Sequence, residues 1–328
     1  MTIMFLWFLA VAGDAPSLQS IEPEFLITDT KPEHKDVSLN YPYDALIHKD
    51  RLYVADEHAL ILVFSPDKIL ARHGKRGGGP KEFRHAPIDI ELVDGHIAAT
   101  EMYRRARLFF KPDGAFMKKE KLVRTNIYLE GTTIGRLPFT EATDMEHRYF
   151  HQEWDCPLAR FDRDSSTEYH LAQAIFRTWK QDLFVVMKQG IIKRYGPHCQ
   201  LKEELNVPVE IYKRKLELDK LSEFINKNSK LKRPKYYRFG VPIIDVAIQD
   251  GQRLWLLVND EAHENEKKRP QRTFLFRVDM TEKRVDVSLE LPEPVQRIRV
   301  SEGRLILIAT GAATIRAYKL EDLEKLVQ

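Results

Sequence analysis

One strand-and-turn pattern occurs twice between residues 50 and 114, and it restricts the fold more than any other feature. Asp50-Arg51-Leu52-Tyr53-Val54-Ala55-Asp56 leads to the apolar run Leu60-Ile61-Leu62-Val63-Phe64 and the turn Ser65-Pro66-Asp67-Lys68. The pattern returns as Asp94-Gly95-His96-Ile97-Ala98-Ala99-Thr100-Glu101, then Ala106–Phe110, then Lys111-Pro112-Asp113-Gly114. Pro66 and Pro112 stand 46 residues apart. Short apolar runs bounded by turn formers read as strands. No helical periodicity of any length precedes about residue 213. A sheet of this size exposes both faces and both edges to water, so sheets must stack around an axis to bury them. A repeat of 46 residues matches one four-stranded blade of such an array.

Further copies begin at His147-Arg148-Tyr149-Phe150, Gln181–Val186, Asp250–Leu257 and Glu302–Ile308. Anchors at Tyr53, Ile97, Phe150, Phe184, Trp255 and Ile306 are spaced by 44, 53, 34, 71 and 51 residues. The longest spacing holds an insertion near 213–236. The reading is therefore all-β: a six-bladed β-propeller over 13–328 with one helical insertion. The final blade is short of strands after Leu305–Ala309 and Thr314–Tyr318. Pro23–Thr28 is predicted to complete it and close the ring.

The residues that carry the pattern resemble NHL repeats. Leu52–Asp56 with Ile61–Phe64, and the ending Phe110-Lys111-Pro112-Asp113-Gly114, follow the NHL grammar. Gly74–Phe83 resembles the Gly-rich segment of NHL-like six-bladed propellers, including many exported bacterial ones. The resemblance implies a fold and leaves function open, because propellers host binding modules and enzymes alike.

Ile3–Ala12 reads IMFLWFLAVA, ten apolar residues without a charge. Crossing a bilayer takes roughly 20, so the run suits the apolar core of a secretory signal. Ala10-Val11-Ala12 predicts cleavage before Gly13, which makes 1–12 the expected signal peptide and implies a periplasmic or extracellular destination, with no transmembrane span after cleavage. The net charge is +3, from 52 Lys and Arg against 49 Asp and Glu, interspersed along the chain. That balance argues against nucleic acid as a partner. Cys156 and Cys199 are too few for a disulfide framework, although they fall in neighbouring blades and a bridge between them is open.

Candidate sites lie in the irregular segments. Gly74–Pro80 fits no phosphate-binding motif and reads as a tight inter-blade loop, with Lys75 and Arg76 available to an anionic ligand. Tyr103, Arg104 and Arg105 sit in a hairpin connection suited to a carboxylate or a partner surface. Lys213–Asn226 is amphipathic, and the stretch that follows is basic, including Lys230, Lys232, Arg233, Lys235 and Tyr236. Asp56, Glu101 and Asp260 occupy similar positions after their strands. Related lactonase-class propellers hold a divalent cation at the axis, and by that resemblance Glu101, Asn259 and Asp260 could hold calcium or another divalent ion. The competing reading is that these acids satisfy turn amides. His147 and His151, with Glu153, are too far apart along a strand to share an ion. No catalytic residue is assigned. The first expectation is an exported, cofactor-free module that binds a protein partner or joins an envelope complex. The alternative is a metal-dependent, lactonase-like hydrolase.

Overall fold

The computed structural model describes residues 18, 21–28, 39–58, 60–66, 68–104, 106–122, 127–129, 132–136, 149–151, 156–159, 174–187, 190–207, 243–260 and 272–325. The signal segment 1–12 and the expected helical insertion at 213–236 lie outside them. The strands form six four-stranded antiparallel sheets. One joins β2 (Pro42–His48), β3 (Arg51–Asp56), β4 (Leu60–Phe64) and β5 (Ile69–His73). The next joins β6 (Pro87–Val93), β7 (His96–Glu101), β8 (Ala106–Phe110) and β9 (Phe116–Lys121). A third holds β10 (Ile127–Leu129), β11 (Thr132–Arg136), β12 (Tyr149–His151) and β13 (Cys156–Ala159). A fourth holds β14 (Ala174–Trp179), β15 (Asp182–Met187), β16 (Ile191–Tyr195) and β17 (Leu201–Asn206). The fifth holds β18 (Ile243–Ile248), β19 (Arg253–Asp260), β20 (Arg272–Asp279) and β21 (Arg284–Glu290). The last runs in the order β1 (Phe25–Thr28), β24 (Thr314–Lys319), β23 (Arg304–Ala309), β22 (Arg297–Ser301).

The predicted closure is present. Phe25, Leu26, Ile27 and Thr28 pair with Ala317, Arg316, Ile315 and Thr314, so the first strand is the outer edge of the last sheet. Arg304 ties the junction further: its guanidinium donates to Glu24 at 2.9 and 3.0 Å.

Five sheets pack as consecutive blades. The first strand of each of four sheets, and β22 of the closing sheet, lie side by side in the order β14, β18, β22, β2, β6. Four apolar cores fill the spaces between them. Phe184, Val186 and Leu205 meet Leu254 and Leu256, and Trp255, Leu257 and Leu289 meet Leu305 and Leu307. Phe25, Ile306 and Ile315 meet Val54 and Phe64, and Tyr53, Ile61 and Val63 meet Ile97, Leu108 and Phe110. Alternate residues of each strand serve opposite faces, so one blade contributes to two cores. Leu52 and Val54 face one neighbour while Tyr53 and Ala55 face the other. Sheet β10–β13 is described mainly by its backbone, and Leu129 packs beside Phe176, Val185 and Met187. The expected count of six thus narrows to five blades with described cores. The anchor at Phe150 is also corrected. Phe150 lies in β12, the third strand of its sheet, whereas the other five anchors lie in second strands. An anchor in the second strand, at Ile134, changes the spacings of 53 and 34 to 37 and 50.

The two ends of the blades differ. At one end the strands are joined by tight turns at 49–50, 94–95, 180–181 and 302–303, and by short ones at 65–68, 111–115, 196–200, 249–252 and 280–283. At the other end lie 74–86, 291–296 and 310–313, and there the chain leaves β17 at Asn206 and β19 at Asp260 and enters β18 at Ile243 and β20 at Arg272. The Gly-rich loop at this end has a packing reason. Gly74 sits at φ +75°, and a Cβ there would come within 2.5 Å of the Phe83 ring. Phe83 is fully buried, 5.9 Å from Phe110 centroid to centroid. The loop's backbone closes on itself through Phe83 N–H to Lys75 O and Gly77 N–H to Phe83 O, both 2.9 Å.

Candidate functional site: a charged channel beneath a loop-bearing face

Three inner strands carry the same irregularity. The pairing register shifts between Pro42 and Asp44 in β2, between Pro87 and Asp89 in β6, and between Ile243 and Asp245 in β18. Each shift leaves one extra residue, a β-bulge, immediately before an aspartate. A bulge re-aims the side chains that follow it. Asp44 Oδ2 accepts the N–H of Ile90 on the next blade at 3.0 Å, and Asp245 Oδ2 accepts that of Ile298 on its next blade at 2.9 Å. Each also accepts the N–H of its own successor, Ala45 at 3.0 Å and Val246 at 2.9 Å. The aspartates therefore clamp one inner strand to the next.

Arginines complete the clamps from the preceding blade. Arg177 of β14 pairs with Asp245, 2.5 Å away, and donates to the carbonyl of Val246 at 2.8 Å. Arg299 of β22 donates to both oxygens of Asp44, at 3.2 and 2.6 Å, and to Asp89 at 3.0 Å. Arg297 lies on the same face of β22, two residues nearer the loop end. On the same strand as Asp89, Glu91 of β6 pairs with Arg107 of β8. Five inner strands thus contribute Arg177, Asp245, Arg297 with Arg299, Asp44, and Asp89 with Glu91 around one axis. Side-chain exposures of 36% for Arg297 and 25% for Arg299 show that the channel is open to solvent there.

Burial and neighbouring charge set the protonation of this ring. Burial pushes Asp44 up to about 6, against Arg299 and Arg297. Burial opposes ionisation of Asp89 as well, but Arg299 and Arg297 outweigh it and hold that carboxyl below the usual range. Burial, then the charge of Asp89, pushes Glu91 up to about 7 despite Arg107. A carboxyl raised in the folded state stabilises the fold when protonated. Its contribution is complete below the unfolded value of 4.5 and is lost as pH rises through about 7. Glu91→Gln removes that titration. The expected result is a stability difference between wild type and variant that changes by about 2–3 kcal/mol across this window, in favour of wild type at the acid end. Urea unfolding at several pH values measures it, and parallel curves would refute it.

The sequence-predicted residues fall mainly on the loop end. Lys75 and Arg76 are in the Gly-rich loop, and Lys75 reaches Glu82 at 3.1 Å. Tyr103 is 61% exposed at φ +66° and stands edge-on to His85, 5.2 Å between centroids. Tyr41, which the sequence did not single out, is also exposed on this end and lies 5.1 Å from Tyr43. Arg104 shares the connection with Tyr103. Arg105, the basic residues Lys230, Lys232, Arg233 and Lys235, and Tyr236 lie outside the described residues. The chain leaves β17 at Asn206 and enters β18 at Ile243, both on the loop end.

Glu101 takes the structural role. It is buried and accepts the N–H of Arg84 at 2.8 Å, with Lys119 Nζ at 3.4 Å. Asp56 does the same for the N–H groups of Asn40 and His58, at 3.1 and 3.0 Å. Asn259 and Asp260 end β19, three blades away from the sheet of Glu101. The structure therefore does not bring Glu101 together with them, because these acids end second strands and not the inner strands that line the axis. Among the described residues no three His, Cys, Asp or Glu side chains are placed to share an ion. His147 and Glu153 lie outside the described residues. Cys199 is disulfide-bonded, and the chain's other cysteine, Cys156, begins β13. β13 lies against the Pro197–Cys199 turn, at the turn end.

No protein-family model and no curated protein matches the chain in sequence. Solved structures do. A "Putative exported protein" of Bacteroides fragilis NCTC 9343 is 13% identical, covering 89% of this chain and 85% of its own, with a TM-score of 0.54. Streptogramin B lyase is 10% identical over 90% of this chain and 97% of its own, at a TM-score of 0.46. The WD40 domain of Neurospora crassa Pan2 is 8% identical over 92% and 82%, at 0.45. With the sheet arrangement, the first of these likenesses establishes the fold as a β-propeller. No described helix is long and apolar enough to cross a membrane.

Proposed function

We propose that the chain is an exported, non-enzymatic six-bladed propeller of NHL-like build, which binds a protein partner through its loop end. The observation that carries this reading is the asymmetry of the connections. Among the described residues the turn end holds short turns and the helix Leu320–Glu324, while the loop end holds the 74–86 connection, the strand ends at Asn206, Ile243, Asp260 and Arg272, and the exposed Tyr41 and Tyr103. A rigid scaffold with long loops on one face is the usual arrangement of a recognition surface. Exposed tyrosines beside cations suit a partner surface, since they offer large contact area at low entropic cost. Sheet β10–β13, beside β14–β17, is the sixth blade in this reading. Export is supported by the apolar N-terminal run and by the disulfide at Cys199, since such bonds persist in oxidising compartments. The hydrolase alternative needs Glu101 at an ion, and that carboxylate is engaged by Arg84 and Lys119.

Co-purification from native envelopes tests the proposal. Tyr41→Ala with Tyr103→Ala should weaken partner capture about tenfold or more, and deletion of 213–238 should abolish it. Lys283→Ala, on the turn end, should leave it unchanged. Equal capture by all variants would refute the loop-end reading. One bound divalent ion and lactone turnover, both lost in Glu101→Gln, would replace it with the hydrolase.

A further inference from the structure

The donors and acceptors of the channel do not balance at Arg297. Asp44 Oδ1 accepts from Ala45 N–H and Arg299 Nε, and its Oδ2 accepts from Ile90 N–H and Arg299 Nη2. Two carboxylate oxygens offer about four lone-pair sites, so these bonds fill them. Arg297 reaches this same Oδ2 only at 3.5 Å. Its guanidinium donates no hydrogen bond to a described residue. The charges of Asp44, Asp245 and Asp89 keep it ionised against the opposing effect of burial. A guanidinium has five N–H donors in a planar fork and cannot shed its proton. It begins β22, at the channel's loop-end mouth, with 36% of its side chain open.

We propose that Arg297 is the anchor of a carboxylate-binding site in the mouth of the channel. The fork matches the two oxygens of a carboxylate through parallel hydrogen bonds. A single negative charge suits the surroundings. Asp44, Asp89 and Asp245 ring the site and repel a dianion such as phosphate, whereas one carboxylate replaces the partner that Asp44 cannot supply. Arg299, held by Asp44 and Asp89, gives the second positive charge without leaving its clamp. The carboxylate can come from a free small acid or from the C-terminus of a peptide. This site does not depend on the partner-docking role. Lost partner capture with carboxylate binding intact would count against that role only.

Calorimetric titration of the full-length protein tests the site with acetate, N-acetylglycine, N-acetylglycinamide and inorganic phosphate. Acetate and N-acetylglycine should bind, and the amide should not. Arg297→Gln should lower the affinity about tenfold or more, and Arg297→Lys should fall between, since it keeps the charge and loses the fork. Lys283→Gln controls for general loss of charge, and near-ultraviolet circular dichroism for folding. N-acetylglycine binding more tightly than acetate supports a peptide C-terminus, and equal binding supports a free acid. The proposal is overturned if no carboxylate binds, if the amide matches the acid, if phosphate binds more tightly than acetate, or if folded Arg297→Gln binds as wild type does.

Discussion

Asp44→Ala should destabilise the protein by about 3–5 kcal/mol, the scale expected when one partner of a buried ion pair is removed. The loss has separable parts. The N–H groups of Ala45 and Ile90 lose their acceptor in a buried setting, and Arg299 loses both of its bonds to Asp44. The second of those amides belongs to the next blade, so the change loosens the joint between β2 and β6 rather than either sheet. Asp44→Asn keeps one acceptor oxygen and should cost less. Urea unfolding of the three proteins measures the order. A cost below about 1 kcal/mol for alanine, the worth of an ordinary hydrogen bond, would show that the clamp is not holding the blades.

Cys199→Ser should cost about 4 kcal/mol in the chain-entropy account of a cross-link. The two cysteines are 43 residues apart, and the loop between them spans the join of sheets β10–β13 and β14–β17. At that join Leu129 packs beside Phe176, Val185 and Met187. Wild type in reductant should unfold like the variant, and the variant should ignore reductant. A wild type unaffected by reductant would remove the tether from the account.

The second strands of most blades were legible in the sequence because they are the most buried. Leu52–Asp56 and Leu183–Met187 are covered on both faces, so they read as unbroken apolar runs. Phe150 misled because β10–β13 has short strands, and a third strand there looks like a second one elsewhere. Two of the bulged aspartates were written in the chain as Pro42-Tyr43-Asp44 and Pro87-Ile88-Asp89, spaced 45 residues apart. That is one blade, yet a lone acid in an apolar strand carries no turn signal and passed unread. The arginine side of the channel was out of reach of local pattern. Arg299 meets Asp44 across 255 residues and Asp89 across 210, and only ring closure brings them together. The loops at 74–86 and 102–105 were singled out because they break the repeat, and both reach the same face.

The strand that seals the ring sets the timetable of folding. Phe25 pairs with Ala317, so the earliest strand to be synthesised waits for almost the last. Closing a loop of that length carries an entropy cost of about 5 kcal/mol beyond the constant term, recovered only when β24 is in place. Until then the apolar faces of Phe25 and Ile27 have no home. A chain wired this way completes its ring only when its last strand is in place, so the closing sheet is the one part of the fold that local contacts cannot finish.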